Sequence, residues 1–303
     1  MAVTAPKTTG DFTGFIKPEQ AGYIFEDARK QSAIMQLSPQ QPLGASGKEF
    51  PIVTGKPVAN WVSEAGQKPA TDASLGLIPM KPKKLAAIAV TSAEVVRANP
   101  GGYSEKLREL LAEAFATAFD LAAAYNVGGD GTGTGPFDHH LAETTKSVTL
   151  GTAATLYDDL VSGIGLLLTD KKKARGFAFD STVEVDFLGA KDNDGRPLFA
   201  AAEYTDTAES VQRGRLLGRT SFLEDDFANG TTVGFLGDWS KSAWGVVGGG
   251  ISYDVSTQAT VTINGALTSL WEHNLVAVRA EAEYGFVVAD TGAFAKFVKT
   301  VTP

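Results

Sequence analysis

The stretch Gly129-Asp130-Gly131-Thr132-Gly133-Thr134-Gly135 is the first place in this chain where chemistry could sit, because glycine-rich turns can cradle phosphate with backbone amides. A phosphate loop follows a strand, opens a helix and carries a Lys-Ser/Thr pair. This one follows a helical pattern and lacks the pair, so it is expected to be a loop closing a helix C-terminus. His139 and His140 are adjacent; their side chains are expected to diverge, with no carboxylate at ligand spacing and therefore no metal. Glu224-Asp225-Asp226 offers hard oxygens to a cation, but reads as a solvated acidic turn. Serine-hydrolase chemistry lacks its G-x-S-x-G elbow, and three histidines leave little choice of base. No catalytic constellation emerges, and neither a cofactor nor an enzyme is expected.

Composition narrows the classes further. Lys plus Arg number 27 against 35 for Asp plus Glu, a net charge of −8, the reverse of a surface that grips phosphates. Cysteine is absent, which removes disulfides, thiolate metal sites and thiol nucleophiles together. Apolar stretches are short, so no bilayer span is expected, and the N-terminus lacks the pattern of a signal peptide. Glycine, at 33 of 303 residues, is above the usual share and points to many turns and close backbone approaches. A Gly-rich glycan-binding or hydrolytic β protein would need convergent aromatic groups. Only Trp239 and Trp244 hint at them, and they stand at strand spacing that suits a core.

The elements that would position any site follow in order. Met1 to Thr13 reads as a loose arm, and Lys17 to Leu37 as a short helix followed by extended chain. Pro and Gly punctuate Pro51 to Pro82, with strand-like pieces at Phe50–Thr54 and Val58–Ser63; a two-stranded excursion of this length cannot bury both faces and needs a neighbour. Leu107, Leu110, Leu111, Ala114, Phe115, Ala118, Phe119 and Ala122 recur at helical spacing, with Ser104 available as a cap. A second helix is expected over Thr155–Lys171. A buried strand over Gly176–Asp180 and a short helix over Val183–Ala190 follow, then the turn Asp192-Asn193-Asp194-Gly195. Strands with Gly-rich turns fill Thr231–Thr262. From Val278 to Val288 the even positions are apolar, while Arg279, Glu281 and Glu283 face the other way. The class is α+β.

This order, together with a set of short motifs, resembles the major capsid protein of tailed bacteriophages, the Hong Kong 97 fold. The motifs are Trp61-Val62-Ser63-Glu64, Gln67-Lys68-Pro69, Lys83-Lys84-Leu85-Ala86, Thr91-Ser92-Ala93-Glu94 and Gly129–Gly133. Further along are Leu188–Asp192 with Gly195–Leu198, Gly234–Asp238 and Gly285–Phe294. The resemblance runs from about Thr13 to Lys299. It implies an N-terminal arm (1–43), an extended loop (44–89) and a peripheral domain (90–150) with a spine helix at about 104–125. An axial domain (151–269) and a peripheral return strand (270–303) complete it. It also implies self-assembly as hexamers and pentamers into an icosahedral virion shell around double-stranded DNA, without sequence-specific contacts and with no membrane. A portal is implied as a partner; because few residues precede the folded part, so is a separate scaffolding protein, or none.

In one branch of that family subunits are joined by isopeptide bonds between a loop Lys and an Asn, assisted by a Glu. The matching positions here are Lys68, which precedes Pro69, with Asn274 and Glu281. Seven strand residues span about 23 Å and an odd count reverses the face, so Asn274 and Glu281 of one chain are not expected to share a site. Trp61 is the extended loop's one large anchor and is expected to touch another subunit. An encapsulin-like compartment of a bacterial cell resembles the same fold and is the alternative.

Overall fold

A computed structural model describes residues 25–299 except 65, 100–101, 153, 191–210 and 249, with the backbone alone of Ser104 and Glu105. The loose arm, the turn Asp192–Gly195 and the motif Gly195–Leu198 lie outside the described residues.

The long alternating strand organises one half of the molecule. Strand β13 (Leu275–Val288) pairs antiparallel with β3 (Lys83–Ser92) over its first ten residues. Its other edge pairs with β10 (Ser252–Ser256) and then with β9 (Ser242–Val246). Two strands from within 151–269 thus share a sheet with the terminal segment. As the alternation predicts, Ala280, Ala282, Tyr284 and Phe286 are buried while Arg279 is exposed. From Tyr284 to Val288 both faces are covered, because Val287 joins Leu43, Met80 and Ala243 on the reverse side.

Helix α4 (Tyr103–Tyr125) lies across this sheet. Phe115, Phe119 and Ala122 enter one core with Ala280, Ala282, Tyr284 and Phe286, and the Phe119 ring stands 5.4 Å from Tyr284 and 6.1 Å from Phe286. Leu111 is buried, Leu107 half-buried, and Leu110 is left 51% exposed on the outer side of the helix. Gly102, with φ of 75°, occupies the N-cap in place of the expected Ser104. At the other end Asn126 turns left-handed; its side-chain oxygen accepts from the Phe137 amide, and its carbonyl from Gly135. A Cβ on Gly135 would lie 2.6 Å from the Asn126 backbone, so this loop closes the helix because one position can approach that closely.

The other half is a six-stranded mixed sheet, in the order β4 (Ser147–Leu150), β14 (Phe294–Lys299), β8 (Thr232–Gly237), β5 (Gly176–Asp180), β7 (Arg219–Glu224) and β6 (Val211–Leu216). The terminal segment therefore contributes two strands, one to each sheet. Helix α5 (Leu156–Thr169) buries Leu156, Leu160 and Leu167 on one face of it, against Phe177, Phe179 and Phe297. Helix α6 (Glu184–Gly189) packs Phe187 beside Phe179. A hairpin, β11 (Thr260–Ile263) and β12 (Ala266–Ser269), projects with Leu267 exposed. The short helix α3 (Ala93–Ala98) precedes α4.

Near the N-terminus, α1 (described over residues 25–30) and α2 (Ala33–Leu37) lie against both halves. Phe25 packs on Trp244, and the Trp244 indole donates to the carbonyls of Met35 and Ser38. Trp239 donates to the Gly176 carbonyl. Both tryptophans are core residues, so neither presents a face to a glycan.

Candidate assembly and cross-link site

The extended excursion forms a two-stranded sheet of its own, β1 (Lys48–Val53) with β2 (Leu75–Met80). The second strand is not Val58–Ser63, as the sequence suggests, but the segment after Ala73. There Ile78 and Met80 alternate with Leu77 and Pro79 to give one inward and one outward face. The described residues among 54–74 contain no strand; the Val58 amide instead donates to the Thr71 hydroxyl. At its base the hairpin is fastened by Met80, fully buried with Leu43, Ala243 and Val287, and by Phe50 and Ile78 packed on them. Its outer face sets Pro51 opposite Leu77 and Val53 opposite Leu75, all exposed. Trp61 is fully exposed in its own subunit, at 105% relative exposure.

The three cross-link candidates are apart in one subunit. Lys68 is exposed between β1 and β2. Asn274 is exposed immediately before β13, in a left-handed turn with φ of 51°, and its carbonyl accepts from the Ala93 amide. Glu281 sits seven residues along β13, opposite Ala86 of β3. Its Oε2 receives Lys84 Nζ at 3.1 Å, and its Oε1 lies 3.6 Å from Arg279 Nε. Arg279 in turn binds Asp254, completing a row of alternating charge across three strands. Lys84 and Arg279 are legible afterwards as neighbours of Glu281 on the polar face, but their meeting needed the β3–β13 register.

The other stretches resolve into structure. In the Gly129–Gly135 loop the polar groups turn inward, with Gly128 donating to Thr132 and Asp130 accepting from the Thr132 amide. His139 and His140 do meet a carboxylate, Glu143, at 3.3 and 3.2 Å, because a short helical turn brings residues three and four apart together. Among the described residues no cluster of three or more His, Asp or Glu could hold a metal. Asp225 and Asp226 are exposed as expected, but Glu224 is not part of a solvated turn: it ends β7 and is 2% exposed. Facing it is Asp120 of the spine helix, 1% exposed, a pair that no sequence motif announced.

Residues 13–299 match the family model described as the phage capsid family. The chain belongs to the phage capsid family. It is 40% identical to "Probable major capsid protein gp17" of Mycobacterium phage D29, covering 97% of this chain and 93% of that one. The corresponding protein of Mycobacterium phage L5 is 41% identical over 98% and 94%. In fold the capsid chain is similar to solved structures from Gordonia phage Cozz (TM-score 0.72, 22% identity, 90% of this chain and 87% of that one) and Mycobacterium phage Ogopogo (TM-score 0.72, 20% identity, 98% and 100%). It is a structural protein of the virion and not an enzyme, and proteins of this family assemble with copies of themselves into shells. Among the described residues of the subunit, the hairpin's apolar outer face is left exposed.

Proposed function

We propose that this chain is the major capsid protein whose hexamers and pentamers close into an icosahedral shell around double-stranded DNA, with the β1–β2 hairpin laid across an adjacent subunit. The observation that carries the reading is the hairpin itself: anchored at its base by Met80 with Phe50 and Ile78, apolar on its outer face, and tipped by a fully exposed Trp61. Two strands alone are marginal in water, so a second surface is needed to cover them. The negative net charge suits a container whose inner wall should not bind phosphates tightly. Heterologous contacts that close on themselves provide the assembly rule. A portal and a separate scaffolding protein complete the set of partners.

The finer proposal is the cross-link. Lys68 of one subunit, as the neutral amine, attacks the side-chain carbonyl carbon of Asn274 on another. A C–N bond forms, the amide C–N bond breaks, and ammonia leaves with the proton that Glu281 has taken from the amine. Because one chain holds Asn274 and Glu281 about 23 Å apart along a strand, several subunits must contribute, so the reaction waits for assembly. Denaturing gel electrophoresis of mature particles tests it. A ladder of multiples that collapses to one band in Lys68→Ala is expected; a single monomer band from wild-type particles ends the cross-link proposal while leaving the shell intact.

A further inference from the structure

The carboxyl pair between Asp120 and Glu224 belongs to neither the hairpin nor the cross-link, and it lies where three parts of the subunit meet. Asp120 comes from the spine helix, Glu224 from the six-stranded sheet, and Ser32 and Ala33 from the N-terminal segment. The Ser32 hydroxyl donates to Asp120 Oδ1 at 2.7 Å, and the Ala33 amide donates to Glu224 Oε2 at 3.2 Å. The Ser32 oxygen also accepts from the Met35 amide, so the same residue caps α2 and ties it down. Asp120 Oδ2 is buried and finds no donor among the described residues.

Among the described residues, the groups acting on this pair supply no positive charge. From α4 the facing groups are Asp120 and Tyr125, from β7 Glu224, and from β5 Asp180. The N-terminal segment adds only a hydroxyl and backbone amides. Asp180 is itself occupied, accepting from Thr182 and from the Ala228 amide. Two ionised carboxylates buried together without a cation would repel in a poorly screened interior. One proton removes the conflict, because a protonated Glu224 has a hydrogen to donate to Asp120 across the pair.

We propose that Asp120 and Glu224 share a single proton and form a lock that fastens residues 25–37 onto the seam between the spine helix and the six-stranded sheet, and that loss of this proton releases the segment. Burial raises both carboxyls, Asp120 to about 6 and Glu224 well above the usual carboxylate range, and the hydrogen bond between them puts the remaining proton on Glu224. Groups raised on folding stabilise least once ionised, so the lock is closed in acid and weakens as pH rises through the raised range. The Trp244 indole, bound to Met35 and Ser38, holds the far end of the same segment, so release is local rather than global.

Hydrogen exchange of the full chain, corrected for the intrinsic pH dependence of exchange, tests this. Between about pH 6 and about pH 9 the amides of residues 25–37 should lose roughly tenfold or more in protection while those of β5 and β8 keep theirs. In Glu224→Gln, whose amide donates without ionising, protection should persist in alkali. Protection of residues 25–37 that is independent of pH in the wild type, or the same alkaline loss in Glu224→Gln, overturns the lock. Should Glu224→Gln not fold, Asp120→Asn supplies the donor from the other side: retained protection supports the proposal, and alkaline loss, or failure of both variants to fold at pH 6, overturns it.

Discussion

At the scale of single residues the subunit's polar groups divide by what meets them. Glu281 is held by Lys84 and Arg279 on an open sheet face, where exposed ion pairs contribute little to stability. Among the described residues Asp120 and Glu224 have no such partners, and burial dominates. For Asp120 the rise from 3.8 to about 6 corresponds to roughly 3 kcal/mol. The sign follows from proton counting: between the two values the folded chain binds more protons than the unfolded one, so stability falls as pH rises through this range. Denaturant titrations at a series of pH values from 4 to 7 should show this fall, and Asp120→Asn should flatten it by about that amount. An unchanged slope in the variant would show that the carboxyl does not ionise there.

At the scale of elements, the spine helix is the joint between the two halves. Its face of Phe115, Phe119 and Ala122 meets the β13 sheet, while Tyr125, near its C-terminal end, packs on Phe227 and Phe235 of the other half. Phe119 also touches Phe137 and Trp244, so the ring is hemmed in from four directions and its removal cannot be filled by local collapse. Phe119→Ala should cost about 3–5 kcal/mol, read as a lowered denaturant midpoint of the free subunit. Leu110→Ala, on the 51% exposed side of the same helix, should cost well under half of that. Equal losses at the two positions would mean that the helix is rotated in its groove.

At the scale of the whole molecule, the proposed assembly covers surface that a single subunit leaves exposed. Trp61 is the clearest case, because its complete exposure in the subunit means that its removal takes no contact away from the folded chain. Trp61→Ala should leave the free subunit's thermal midpoint unchanged and lower that of assembled shells by several degrees, since a large aromatic buried at an interface is a typical energetic anchor. Shells of unaltered heat stability would place Trp61 in solvent after assembly.

The sequence by itself determined the parts whose periodicity is local. The alternation from Val278 to Val288 set the faces of β13, and Leu111, Phe115, Phe119 and Ala122 marked the buried side of the spine helix, although Leu110 and Ala114 of the same spacing face outward. The glycine-rich loop after Tyr125 was readable as a helix ending rather than a phosphate cradle. The ordered motifs from Trp61 to Phe294 carried the family likeness, although none of them does so alone. Tertiary structure decided what depends on residues far apart in the chain. Leu75–Met80 displaced Val58–Ser63 as the partner of β1, because cross-strand register rewards a matched inner face anchored at Met80. The terminal segment split between two sheets, one strand each, since β14 pairs with β4 and β8. Glu224 read as one of three acidic turn residues, and only folding drew it under Ser32 and opposite Asp120, more than a hundred positions away. No local pattern encodes that meeting, because a buried carboxyl pair is defined by the absence of water and of a cation, and both are properties of the packed interior.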